Sequence, residues 1–294
     1  MMLPLLALLV AATLASAADA PVTEVTPTVL VFATSNGNVV ASVGPDGALL
    51  VGTPSAASTS QISEILANRT KNPIRYVVIA PEDLAHSEGD AGWGKRGAFV
   101  LMQEKALERL GGHAMGPMHP LPQRLVELGV DRPRVAFSEV ITFDVNGDAI
   151  HVVHQAPGYS DADALVHFHM AHLLYFGELF PGDGYPELDP QQHGSLEGFI
   201  KVLGPWGNSK MRVVPARGQV TAAGDLKEFC NMLETVRDRV KKGIENGQTE
   251  DSIVAGHPTA DFDVRWGHGR VAPDAFVREV YAALKAPQPK TTQP

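Results

Sequence analysis

Two stretches of this chain read as short strands joined by tight turns, each followed by helical spacing, and any fold must bury both. In the first, residues 29–32 and 38–43 are strand-like, Gly44-Pro45-Asp46-Gly47 has hairpin-turn chemistry, and residues 48–51 form the return strand. Residues 60–67 then place Ile62, Ile65 and Leu66 on one helical face, with Ser60 as the expected cap and Glu64 completing a capping box. A buried strand at 73–79 runs into a polar loop at 80–92. Residues 99–101 are a short strand, 103–110 a helix closed by Gly111-Gly112, and 112–122 an exposed loop rich in Pro, His and Gly. In the second stretch, residues 141–145 turn at Asn146-Gly147 into 149–154, a strong hairpin signal. Residues 164–169 lead to 172–176 and a glycine-rich loop. From Gly194 onward come a helix, a strand at 211–214, a long helix at 223–242 and a last helix at 273–284. Strand meander plus helix, given twice, predicts two sheets facing each other with helices outside.

Length and composition agree with one large domain or two small units. The chain has 294 residues, 44% hydrophobic and 19% charged, the latter below the roughly 25% of an average globular protein. That excludes intrinsic disorder, a coiled coil and a collagen-like repeat. Lys and Arg number 24 against 33 Asp and Glu, a net charge of −9 with no basic cluster, so no nucleic-acid partner is expected. Residues 2–14 form an apolar run, short for a membrane span and the right length for a secretory core. Cleavage is expected after Ala17 or Ala20, giving an exported chain, periplasmic or secreted, without an integral membrane span. The expected organisation is a signal peptide at 1–20, one domain at 21–285 and a frayed tail at 286–294, with residues 21–28 a Pro/Thr-rich lead. Cys230 has no partner for an internal disulfide and reads as a buried small hydrophobe.

The order of elements resembles the metallo-β-lactamase fold superfamily over about residues 29–285. Asn38 to Val51 looks like that family's opening hairpin, and Ile74-Arg75-Tyr76-Val77-Val78-Ile79 like the strand that delivers its His-x-His-x-Asp-His loop. His86-Ser87-Glu88-Gly89-Asp90-Ala91 is similar to the end of that loop. Phe176-Gly177-Glu178-Leu179-Phe180 resembles the family's Gly-Asp strand end, Tyr185-Pro186-Glu187-Leu188-Asp189 the loop beyond, and Val213-Val214-Pro215-Ala216-Arg217-Gly218 its Pro-Gly-His-Gly. The resemblance implies an α+β fold, an αββα sandwich of two mixed sheets, with any active site at the sheet edges.

Hydrolases of that family hold zinc, or iron or manganese in some branches, and use metal-bound water as nucleophile. Their ligands are imidazoles and carboxylates, and here most of those groups are replaced. Aligned on the downstream match, His86 stands at the last His of the first loop, Ala85 at the Asp and Asp83 at the second His. An ungapped reading instead puts His86 at the Asp, with Glu82 and Leu84 at the first two His positions. Tyr159 stands where a ligand His precedes Thr-x-Gly-Asp, Glu178 where the metal-bridging Asp stands, and Arg217 where the last His stands. Gly52 replaces the Asp that ends the opening hairpin. Arginine stays protonated and has no lone pair to donate.

The resemblance therefore implies a degenerate hydrolase homologue, a pseudoenzyme binding a small molecule or a protein partner, with Glu82, Asp83, His86, Tyr159, Glu178 and Arg217 lining the former site. No cofactor is expected, and Arg217 paired with Glu178, Glu82 or Asp83 is expected to balance the carboxylates. The alternative is an active hydrolase of an ester, lactam or thioester, its rebuilt site holding a divalent Zn, Mn or Mg ion on Asp83, His86 and Glu178, with Asp161 or Asp163 as further oxygen donors. A third possibility is a fold reused as an interaction surface with its cleft closed. His167-x-His169-x-x-His172 puts two imidazoles on one strand face, away from that site, and reads as surface or turn histidines. His113, His119, His193 and His268 read as loop or turn histidines, and Glu104, Lys105, Glu108 and Arg109 as a solvated helix face.

Overall fold

A computed structural model describes residues 21–52, 54, 56–79, 93–94, 96–109, 134–188 and 190–286. The expected signal segment, the 80–92 loop with Glu82, Asp83 and His86, the loop carrying His113 and His119, and the tail beyond 286 lie outside these residues.

The chain builds two mixed sheets. The first runs in sequence order through β1 (Val22–Thr26), β2 (Val29–Thr34), β3 (Gly37–Gly44), β4 (Gly47–Val51), β5 (Ile74–Val78), β6 (Phe99–Gln103) and β7 (Arg134–Phe137). Pairing is antiparallel through β4 and parallel from there on. The second has the order β13-β12-β11-β10-β9-β8, from β8 (Val140–Val145), β9 (Asp148–His154), β10 (Ala164–Phe168), β11 (Leu173–Tyr175), β12 (Arg212–Val214) and β13 (Thr221–Ala222). Only β11 and β12 run parallel there.

Three apolar layers hold the sandwich. Val31, Val40, Leu49 and Val51 of the first sheet face Ile150, Val152, Phe168 and Tyr175 of the second. Helices α1 (Ala56–Arg69) and α2 (Glu104–Arg109) cover the first sheet's other face through Ile62, Leu66 and Leu107. On the second sheet's outer face, Leu165, Leu174 and Val213 meet α3 (Leu196–Leu203), α4 (Ala223–Glu245) and α7 (Pro273–Lys285) through Phe199, Phe229 and Phe276. Each such side chain stabilises the fold by about 1.5–3 kcal/mol. Because β4 is covered on both faces, its sequence is a continuous apolar run rather than an alternation.

The two sheets are also clasped at their hairpins. Asn146, with φ 53°, opens the β8–β9 turn. Its backbone N–H donates to Asp46 at 2.7 Å, and its side-chain oxygen accepts from the Asp46 N–H at 3.0 Å. Its amide nitrogen donates to Ser42 and to the Gly47 carbonyl, both at 3.1 Å. One turn residue thus fixes the register of sheet against sheet.

Several local expectations are corrected. Residues 22–26 form an edge strand, because Val22, Thr23, Val25 and Thr26 are β-branched and pair with β2. Helix α1 begins at Ala56, so Ser60 lies inside it and does not cap it. Strand β7 and the short helices α5 (Glu250–Ala255) and α6 (Asp263–Trp266) were not anticipated; each is too short for periodicity to show. No described helix is long and apolar enough to cross a membrane.

Candidate functional site

Strands β4 and β5 end side by side at Val51 and Val78, and β11 and β12 at Tyr175 and Val214. These ends meet across the sandwich: a Cβ on Gly52 would lie 3.3 Å from the Tyr175 hydroxyl and 2.8 Å from the Asn38 carbonyl oxygen. These strand ends share one edge of the sandwich, which is the candidate site.

Arg217 is placed there by backbone. Past β11 and β12 the ladder continues, with Ala216 N–H donating to Phe180 O at 2.9 Å and Arg217 N–H to Pro181 O at 3.0 Å. The Asn38 amide clips the loop from the first sheet, donating to Pro215 O and Gly218 O, both at 2.9 Å. Gly182, at φ +84°, is required by close approach, since a side chain would strike the Arg217 carbonyl and the Pro215 ring.

The guanidinium so held forks onto Glu178. Nη1 donates to Oε1, and Nη2 donates to Oε2 at 2.9 Å. Nε donates to Asp183 Oδ2 at 2.9 Å, and Arg270 Nη1 lies 3.7 Å from Glu178 Oε1. Arg217 and Glu178 are only 16% and 11% exposed, so this is a largely dehydrated pair. Burial alone would favour the neutral guanidine, but the bonds and charges of Glu178 and Asp183 outweigh it and hold Arg217 protonated far above neutrality. A cleft of about 210 Å³ opens beside this network, lined by Arg217, Phe180, Pro215, Thr221, Asp225 and Arg265. Its second guanidinium is balanced in the same way: Arg265 pairs with Asp225 at 2.7 Å and with Glu228.

Tyr159 lies in the loop that follows β9. Its ring packs in the layer under the helices with Leu179 and Phe199, and its hydroxyl accepts from the Gln192 amide at 3.4 Å. Its loop is organised by Asp163, whose Oδ2 accepts the Gly158 and Tyr159 N–H groups at 2.9 Å. Asp163 Oδ1 accepts the Ser160 N–H at 2.8 Å and the Ser160 hydroxyl at 2.9 Å. Burial nevertheless pushes this carboxyl up to about 7, against the pull of those four donors. Asp161 faces outward to Arg109 and Lys105, tying α2 to the same loop.

The structure thus brings Glu178 and Arg217 together, sets Tyr159 in the neighbouring core, and leaves Glu82, Asp83 and His86 outside the described residues. Asp183 and Arg270 were not anticipated. Gly182 and Gly184, flanking Asp183, were the available sign of a tight turn there. Arg270 is brought in by long-range packing, with the Tyr185 N–H donating to Trp266 O at 3.1 Å.

No family model matches the chain, and no curated protein matches it. Solved structures do. A metallo-β-lactamase from Pontibacter korlensis superposes with TM-score 0.56 at 15% identity, covering 74% of this chain and 99% of that one. DIM-1 metallo-β-lactamase gives TM-score 0.53 at 12% identity, covering 74% and 98%. The chain has the metallo-β-lactamase fold. The stereoselective inverting sec-alkylsulfatase Pisa1 from Pseudomonas sp. shares that fold over more of the molecule, with TM-score 0.61 at 17% identity and 89% of this chain covered, although the chain spans only 50% of that enzyme's length.

A metallo-β-lactamase-fold metal centre needs imidazole and carboxylate lone pairs converging on one point. The described part of this site does not fit one. Both Glu178 oxygens face guanidinium N–H groups, and the opposing loop contributes a permanent cation. Asp183 Oδ1 is buried and receives no hydrogen bond from the described residues, yet a single oxygen beside a guanidinium makes no coordination shell. Among the described residues, no group of three or more His, Cys, Asp or Glu is arranged to hold a metal ion.

Proposed function

We propose that this metallo-β-lactamase-fold chain is a pseudoenzyme, its cleft binding a small molecule or a protein partner without metal-dependent hydrolysis. One observation carries the reading: the Arg217 guanidinium forks onto Glu178 and holds Asp183 at the strand ends where the fold's hydrolases work. A cation that never deprotonates raises the energy of any divalent ion placed beside it, so the ion pair and the metal are alternatives for one carboxylate.

Elemental analysis by mass spectrometry tests this on protein purified without chelator. The expected result is no divalent ion dependent on the cleft. A near-stoichiometric ion lost on Glu178→Gln would overturn the reading and restore a rebuilt hydrolase. Export is part of the same proposal and is supported by the apolar run at 2–14. N-terminal sequencing of protein from intact cells is expected to begin after Ala17 or Ala20, and an intact Met1 would refute it.

A further inference from the structure

At the end of the second sheet opposite the cleft, three imidazoles stand side by side on its outer face. His151 of β9 is the direct cross-strand partner of His167 on β10, with ring centres 6.1 Å apart. His169, two residues on and so on the same face, has its ring centre 5.5 Å from that of His167. Two imidazoles sharing one tetrahedral ion, with metal–nitrogen bonds of about 2.0–2.1 Å, hold their ring centres roughly 5–6 Å apart. The observed spacings are of that size.

The ring nitrogens are available. Among the described residues the side chains of His167 and His169 make no hydrogen bond, whereas His151 Nδ1 is held by the Thr142 hydroxyl at 3.0 Å, leaving Nε2 free. A partner fixing one nitrogen is the usual support for a ligand working through the other. Asp148 holds the turn that bears His169: Oδ1 accepts the Met170 N–H at 2.7 Å and Oδ2 the Ala171 N–H at 3.2 Å.

We infer that His167 and His169, with His151 beside them, form a surface site for a borderline divalent transition ion, a two-imidazole site completed by water. It does not require a preformed group of three ligands. Nitrogen donors select Cu²⁺, Ni²⁺ or Zn²⁺ over Mg²⁺ and Ca²⁺, and Cu²⁺ is expected to bind tightest. The site is separate from the cleft and does not rest on the function proposed above.

Trp206 supplies the reporter, its ring centre 6.2 Å from that of His167. Copper(II) chloride titrated into the full chain, stripped beforehand with chelator, is expected to quench tryptophan fluorescence saturably at one ion per chain. Trp206→Phe should remove most of the quenching, and magnesium chloride should cause none. His169→Gln, at an exposed position that leaves the fold intact, should weaken binding by more than about tenfold, and His167→Gln likewise. His193→Ala, elsewhere on the surface, should change nothing. Saturable quenching unaltered in the His167→Gln/His169→Gln double variant would overturn the proposal, as would no quenching in the wild type. The double variant also separates the two proposals: an ion that it loses belongs here, and one that it retains but Glu178→Gln loses belongs to the cleft.

Discussion

Asp163 and Glu178 are both carboxylates withdrawn from water in the connections of the second sheet, and the chain satisfies them by opposite means. Asp163, 3% exposed, is surrounded by four neutral donors, three of them backbone N–H groups of its own loop. Glu178 faces a guanidinium delivered from a loop nearly forty residues away. Dipoles fix geometry but cancel charge poorly, so Asp163 retains a carboxyl that titrates at about 7. A full counter-charge fixes geometry and charge together, and Arg217 does not titrate in any accessible range. The first arrangement builds a loop; the second occupies a cleft.

Removing the carboxylate is expected to hurt most at the dipole-lined site. Asp163→Ala leaves four buried donors without an acceptor, each costing about 1–3 kcal/mol, for a total of roughly 4 kcal/mol or more. Urea unfolding checks this, and a loss under about 1 kcal/mol would mean that water enters the loop freely. At the ion pair, Arg217→Ala strands a buried carboxylate and should cost about 3–5 kcal/mol. Arg217→Met combined with Glu178→Leu should recover most of that, because two apolar side chains need no partner. If the double variant is as unstable as the single one, Arg217 matters for packing rather than charge.

The comparison also predicts a pH dependence at Asp163. Its folded pKa, about 7, lies above the ordinary 3.8, so the folded state holds the proton more tightly than the unfolded chain. The resulting stabilisation is complete below pH 4 and is lost as pH rises through about 7. The difference in unfolding free energy between wild type and Asp163→Asn should therefore change across that window, by up to about 1.4 kcal/mol per pH unit. A difference that stays flat would show that the four hydrogen bonds outweigh burial.

Much of this molecule was legible in the chain, for physical reasons that also mark where reading failed. The Asn146-Gly147 turn and the long apolar face of α4 carry local signals, and the structure has both elements. Strand β7 and helix α6 owe their form to neighbours, and four-residue segments carry no period to read. At the site, Arg217 and Glu178 stood out because a guanidinium cannot do what an imidazole does. Asp183 did not, since its role depends on a glycine-bounded turn that brings Pro181 against the Arg217 backbone. Tyr159 reads as a site-lining residue only through the family resemblance. In the fold its ring belongs to the same apolar layer as Leu179 and Phe199.

The smallest expected effect separates shape from charge at the ion pair. Arg217→Lys retains the cation but loses the planar fork, so at best one ammonium bond replaces the paired contacts to Glu178, and Asp183 loses the Nε–H donor. With counter-charge retained, the cost should be only about 1–2 kcal/mol, well under that of Arg217→Ala. A lysine that matched arginine would reduce the site to a point charge beside a carboxylate, its planar fork adding nothing to stability. A lysine as damaging as alanine would show that the fork itself keeps the strand ends closed. Thermal unfolding of the three proteins in one buffer distinguishes these outcomes.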